Sequence, residues 1–327
     1  MQIWSKMTKV LFITNKDDLT TDFVVREIQK KQINYFRFNT EELGVSVLLT
    51  IDFRSGEGYV YDCVLMQKHK LNSFTSVYFR RPVIRDYHDG QLTEAERQFL
   101  KIENYQTIEG VYKILEEAFW VSPIRSIRNA ENKIYQQLLA ARLGLAIPQG
   151  IITNNDVDFR EFCSDKHREY VVKSIRSGQV GQEQMEKIAY TSKLEFHPNK
   201  AQIEFCPTYI QHHIIKQCDI RVTVVGRKLF ATAIMSQENE ETKTDWRYGE
   251  HVLRYEEVEL PNEITEKCRM LMDILDLRFG AIDFIKDNNG KYWFLEINPN
   301  GQWAWIECRT NYKISHEIAE LLINGGN

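Results

Sequence analysis

The sequence predicts a mixed α/β (α+β) protein built from more than one domain. Three observations carry this. Residues 8–120 alternate β-branched and aromatic runs with stretches of helical periodicity, the pattern of a small α/β domain with a partly parallel sheet. Residues 216–305 hold two hairpin patterns in succession, each turning at a glycine. At 327 residues the chain exceeds what a single core usually supports, so two or three domains are expected.

Taken in order, a strand is expected at 10–13, within a clean run 9–14, and a helix from about 18 to 30. Strands follow at 35–38, 45–53 and 76–79, then a long helix from about 93 to 117. No G-x-G-x-x-G follows the first strand, which argues against dinucleotide binding. Asn129 is a suitable N-cap for a helix running to about 143, with apolar residues at Ile134, Leu138, Leu139, Ala141 and Leu143. Gly144 and Pro148 stop it. Lys133 lies in its first turn, where the helix dipole prefers anions. A bound phosphate would relieve that conflict; an ordinary solvated lysine is the plainer alternative.

Residues 169–173 read as a short apolar strand ending in Lys173, followed by a small-residue loop with Gly178 and Gly181. A lysine at a strand end can reach a phosphate, and a glycine loop lets backbone N–H groups approach one. Many strand–turn segments look similar, and no Walker A sequence occurs in the chain. The segment 207–214 precedes a hairpin, 216–226 and 228–234, turning at Gly226-Arg227. Asp219, Arg221 and Thr223 share one face of its first strand. They read either as a surface Asp/Arg pair of little consequence or as an acid near a ribose beside a guanidinium suited to a phosphate or carboxylate.

The most informative stretch is 279–305. Asn289-Gly290 favours a two-residue turn with positive φ at both positions, which sets Asp283 directly opposite Glu296. Facing carboxylates cost about 0.2–1 kcal/mol unless a cation lies between them. Asn298 shares the face of Glu296 because side chains alternate along a strand. Two carboxylates and an amide oxygen aimed at one point suit Mg²⁺. The alternative is a solvated hairpin with incidental acids, against which the apolar flanks of both strands argue.

Composition fits a multidomain enzyme: 43% hydrophobic and 27% charged residues are ordinary. A net charge of −4 gives no support for nucleic-acid binding. No apolar run approaches membrane-spanning length and no signal peptide follows Met1, so neither membrane nor export is expected and the setting is cytoplasmic. The six cysteines form no C-x-x-C pair, which fits reduced thiols. Trp303 and Trp305 read either as core packing or as lining for a peptide channel.

The order of features carries a resemblance. Lys133, Lys173 with its glycine loop, the Gln211 segment, Asp219-Ile220-Arg221 and Asp283…Glu296-Ile297-Asn298 resemble the ATP-grasp ligase superfamily over roughly residues 120–325. Tyr78-Phe79-Arg80-Arg81-Pro82, Lys243-Thr244-Asp245-Trp246-Arg247 and Asn298-Pro299-Asn300-Gly301-Gln302-Trp303 look like the graspetide maturases, which close microviridin-type peptides with side-chain ester or amide links.

The resemblance implies an ATP-grasp fold with an N-terminal Rossmann-like α/β pre-ATP-grasp domain at 1–120, a central subdomain at 121–205 and a C-terminal subdomain at 206–327. It implies ATP and Mg²⁺ as cofactors, a leader-core precursor peptide as partner, and a homodimer or higher homo-oligomer. By the same resemblance Lys133 and Lys173 hold ATP phosphates under a Gly178 lid, and Gln211 through His213 form the adenine hinge. Asp219 becomes a nucleotide-side acid. Asp283, Glu296 and Asn298 become Mg²⁺ ligands, and Arg221 and Arg247 serve acyl-phosphate chemistry and the acceptor carboxylate. His212 departs from the family pattern, which often has Glu there. The implied reaction is ATP-dependent macrocyclisation through acyl phosphates of Asp/Glu side chains. Two alternatives remain at this stage: a carboxylate–amine ligase acting on free amino acids or small molecules, and a peptide-binding module that has lost its chemistry.

Overall fold

The computed structural model describes residues 8–325 apart from 88, 89, 91, 177, 178, 181–186, 189, 190, 195–197 and 250–252. The chain clusters into two units. One comprises Met1–Ile124, Gln302–Glu307 and Lys313–Asn327; the other comprises Arg125–Gly301 and Cys308–Tyr312.

The first unit begins with β1 (Lys9–Thr14), α1 (Leu19–Lys30) and β2 (Asn34–Asn39), and continues through β3 (Val47–Asp52), β4 (Glu57–Asp62) and β5 (Gln67–Lys70) to β6 (Ser76–Phe79), α2 (Glu94–Ile114) and β7 (Phe119–Val121). Its main sheet is parallel in the order β2-β1-β6-β7, the Rossmann-like arrangement expected. β1 has only Lys9 less than fully buried, as a central parallel strand covered on both faces should. α2 starts on a capping box between Thr93 and Glu96.

The expected strand 45–53 does not join the parallel sheet. It forms β3 of a separate antiparallel sheet, β3-β4-β5. Burial along β3 alternates, with Val47 buried and Leu48 exposed, which marks a strand solvated on one face. The tight turn that pairs it with β4 puts Gly56 at φ 71°.

The second unit holds α3 (Ile124–Ala130), α4 (Lys133–Arg142), β8 (Gly150–Thr153), α5 (Asp156–Phe162), β9 (Tyr170–Lys173), β10 (Gln179–Val180), β11 (Lys187–Ile188), β12 (Ser192–Lys193), α6 (Lys200–Phe205) and β13 (Thr208–His212). It continues with β14 (Lys216–Val225), β15 (Lys228–Ile234), β16 (Tyr255–Glu257), α7 (Asn262–Ile274), β17 (Phe279–Asp287) and β18 (Tyr292–Asn298). One sheet runs β12-β9-β13-β8 and another β16-β15-β14-β17-β18, both antiparallel. β14 lies in the middle of the second sheet, buried along its length except at Gln217. It turns into β15 at Gly226-Arg227 as expected, with Gly226 at φ 56°.

The chain then adds α8 (Ala304–Glu307) and α9 (Ile314–Asn324) to the first unit, where Ile314, Ile318, Ala319 and Leu322 are fully buried. All six cysteines are free. Among the described residues no helix is long and apolar enough to cross a membrane.

Candidate active site

β17 and β18 bring the expected acids together by a route different from the expected one. Three residues, 288–290, lie between Asp287 and Lys291, which close the turn with a 3.0 Å bond from Asp287 N to Lys291 O. Only Gly290 has positive φ, at 80°. The predicted two-residue turn fails because the Asp287 carboxylate captures the Asn289 and Lys291 amides, both at 2.9 Å, and organises a wider loop. That extra residue shifts the pairing, giving Phe284 opposite Phe294. A bulge at Leu295 shifts it back, so Asp283 does face Glu296. The Asn298 amide then lies 3.3 Å from an oxygen of each carboxylate. A half-turn of the Asn298 amide would exchange its O and N and turn a third hard oxygen toward the same point.

Cations surround this set. Lys133 Nζ lies 3.0 Å from Glu296 Oε2 and 3.2 Å from the Ser174 carbonyl. Its helix starts later than expected: Asn129 belongs to α3, and the N-cap of α4 is Asn132, whose side chain accepts from Tyr135 N. The end is as expected, with Gly144 at φ 71° in a Schellman turn. Arg221 Nε lies 2.8 Å from Asp283 Oδ1, too poorly aligned for a hydrogen bond, so the contact is one of charge. The Arg221 guanidinium also stacks 5.7 Å from the centroid of a Trp246 ring. Arg247 grips the buried Asp245 through Nε at 2.8 Å and Nη2 at 2.5 Å.

The two carboxyls are pushed apart. Burial disfavours the Glu296 charge, but Lys133 and Lys173 outweigh it and hold the group down at about 2. At Asp283 burial wins over Arg221, and the charge on Glu296 adds to it, so that carboxyl is raised to about 6. Burial also lowers Lys173 to about 8, against the pull of Glu296. A hard-oxygen set in which Glu296 is ionised while its charge and burial oppose ionisation of the facing Asp283 is a place where a divalent cation fits. Among the described residues no group of three His, Cys, Asp or Glu offers another.

β13 carries the expected hinge. Gln211 is buried, and its Oε1 meets no partner among the described residues. The His212 and His213 amides are already given to Gln149 O at 2.8 Å and Glu169 O at 2.9 Å. No described carbonyl takes the Ile214 N–H, so the open backbone donor lies one residue past the expected ones. Beside it is a cavity of about 360 Å³ lined by Ile147, Glu169, His213, Ile214, Ile215 and Trp293, within the usual range for a small-molecule site. His212 lines the same cavity, and its ring stacks on Phe162 at 5.0 Å and meets the edge of Tyr170 at 5.4 Å.

Asp219 and Arg221 do not pair with each other. Asp219 Oδ2 instead accepts from Lys216 Nζ at 2.6 Å and Ser236 Oγ at 2.5 Å, all buried. Gly178 lies outside the described residues. Sequence reasoning passed over Lys216, Asp245 and Gln136; the first two could have been flagged as ions spaced three and two residues from the expected Asp219 and Arg247.

In the first unit, two of the sequence motifs meet. Arg80 is almost fully buried, with Nε 3.0 Å from Asp18 and Nη2 2.6 Å from Gln302 Oε1, which also accepts from Thr20. Trp303 is fully buried and its Nε1 lies 3.4 Å from the Tyr78 hydroxyl. Trp303 is therefore core packing, one of the two readings open from sequence.

Comparison with known proteins identifies the family and the fold. Residues 9–128 match the MvdD pre-ATP grasp domain, and residues 130–322 match the RimK-like ATP-grasp domain. The chain belongs to the RimK-like ATP-grasp family. It is similar, at 27% identity and TM-score 0.88, to a Chryseobacterium gregarium RiPP-associated ATP-grasp ligase solved with ADP and a leader and core peptide, over 98% of this chain and 97% of that one. It is similar, at 27% identity and TM-score 0.84, to the macrocyclase MdnC bound with precursor peptide MdnA from Microcystis aeruginosa MRC, over 97% and 100% of the two chains. A D-alanine–D-alanine ligase from Dechloromonas aromatica (strain RCB) is 24% identical over 205 residues, 59% of this chain and 65% of that ligase's length.

Proposed function

We propose that the protein is an ATP-dependent peptide macrocyclase, which activates Asp or Glu side chains of a ribosomally made precursor as acyl phosphates. A Thr or Ser hydroxyl then captures each one as an ester, or a Lys amine captures it as an amide. The observation that carries the chemistry is the convergence of Asp283, Glu296 and Asn298 with Lys133, Lys173, Arg221 and Arg247 on one site. The full-length likeness to peptide-bound ligases supports a leader-bearing peptide as the partner. A cytoplasmic setting, where ATP is supplied, belongs to the same reading.

In this reading residues 121–205 supply the phosphate-holding lysines and residues 206–327 the metal set. Asp283, Glu296 and Asn298 would hold Mg²⁺, which when bound would supply positive charge against the phosphates. Lys133 and Lys173 take the phosphates, and the adenine edge meets the Ile214 N–H and the cavity beside it. Asp219 steadies the nucleotide side of β14 through Lys216 and Ser236. Arg221 and Arg247 orient the acceptor carboxylate, whose oxygen attacks the γ-phosphorus as its bond to ADP breaks; the hydroxyl or amine that then attacks the acyl carbon loses its proton and displaces inorganic phosphate. Shielding by the buried walls of the site keeps water from the acyl phosphate.

Glu296→Gln removes a charged ligand without changing shape, so ATP turnover should fall by about a hundredfold or more with the fold retained by circular dichroism. Wild-type turnover in a folded variant would sink the assignment. Turnover with free amino acids and no peptide would favour a carboxylate–amine ligase instead.

A further inference from the structure

β18 is the edge strand of its sheet, so the backbone groups on its outer side have no strand to pair with. Two of them belong to Ile297, between Glu296 and Asn298. The side chain of Gln136, buried on α4, takes the place of the missing strand. Its Oε1 accepts from Ile297 N at 3.0 Å and its Nε2 donates to Ile297 O at 2.9 Å, with a further bond to Ala130 O at 2.5 Å. A primary amide offers a neutral donor and acceptor in that spacing at any pH.

The consequence is geometric. Ile297 N belongs to the peptide plane joining 296 to 297, and Ile297 O to the plane joining 297 to 298. Those two planes set the directions in which the Glu296 and Asn298 side chains leave the backbone. A single buried amide therefore pins both, from the same helix whose first residue, Lys133, touches Glu296.

We propose that Gln136 is a positioning residue that holds Glu296 and Asn298 in metal-binding geometry. The inference rests on reading Asp283, Glu296 and Asn298 as metal ligands. The adjacent Gln137 provides a graded comparison, because its Nε2 bonds Leu295 O, at 2.5 Å, in the plane joining 295 to 296, and so holds one plane flanking Glu296 and none flanking Asn298.

The test is Mn²⁺ binding to the full chain with ADP present, followed by electron paramagnetic resonance, alongside ADP binding without metal. Gln136→Met should weaken Mn²⁺ binding about tenfold or more, as loss of a group orienting metal ligands does, with metal-free ADP binding unchanged. Gln137→Met, which frees one flanking plane rather than two, should weaken Mn²⁺ binding less than Gln136→Met and leave metal-free ADP binding unchanged. Should Gln136→Met fail to fold, Gln136→Asn keeps an amide but withdraws it by one methylene from Ile297, and the same weakening is expected. Mn²⁺ affinity equal to wild type in a folded Gln136 variant overturns the proposal, and so does equal weakening in Gln137→Met. Glu296→Gln distinguishes the two levels: if it too binds Mn²⁺ as wild type does, the metal reading itself falls.

Discussion

Lys173 ends a short strand with its ammonium among Glu296, Lys133 and Arg247, and burial lowers it from 10.5 to about 8. The unfolded chain therefore holds this proton more tightly than the folded one. Its cost to stability is fully present below about 8 and disappears above about 10.5, so between these values this group makes stability rise with pH. Nucleotide binding should run the opposite way. Above pH 8 the free protein loses a phosphate-binding cation, and ADP affinity should fall by up to about tenfold per pH unit. Lys173→Arg, charged throughout, should flatten that profile; an unchanged slope in the variant would remove Lys173 from the phosphate site. Its place at a strand end was legible from an apolar run closing on a lysine. The lowered pKa was not, because it comes from neighbours distant in sequence.

The β17–β18 hairpin shows how a partly wrong local reading can give the right pairing. Alternation and the Asn-Gly signal located the hairpin and the facing acids. The Asp287 side chain that widened the turn and the bulge at Leu295 that compensated for it depend on contacts no dipeptide signal encodes. The three-stranded sheet β3-β4-β5 was half missed for a related reason, since β5 is a short polar strand recognisable only by its partner. The segment after β18 gives a sharper test of packing. A Cβ on Gly301 would sit 2.5 Å from Ala281 Cβ and 3.2 Å from Arg221 Nη1. Gly301→Ala should cost about 1–3 kcal/mol of stability by overpacking and reduce turnover by displacing Arg221. Adding Ala281→Gly should recover most of both losses in urea melts and ATPase assays. A double variant no better than the single one would show that Gly301 matters for some other reason.

For the chain as a whole, alternation pointed to a small α/β domain at the start, and the order of lysines and acids carried the resemblance to ATP-grasp ligases. The return of α8 and α9 to the first unit was not, since nothing in their periodicity says which core they complete. The Arg-Arg-Pro and Pro-x-Gly-Gln-Trp motifs were legible as motifs. That they meet through Arg80 and Gln302 emerges only in three dimensions. Arg80→Met leaves Asp18 buried without its cation and should destabilise the first unit by about 3–5 kcal/mol in denaturant unfolding. A change within about 0.5 kcal/mol, as at an ordinary surface site, would mean the pair is not stabilising. The reaction itself is tested most directly by isotope. With the precursor's acidic side chains labelled with oxygen-18, enzyme, Mg²⁺ and ATP should give peptide lighter by one water per ring, and inorganic phosphate carrying one labelled oxygen per ring formed. Unlabelled phosphate, with both carboxylate oxygens kept in the peptide, would show that the hydroxyl is activated instead and would contradict the account.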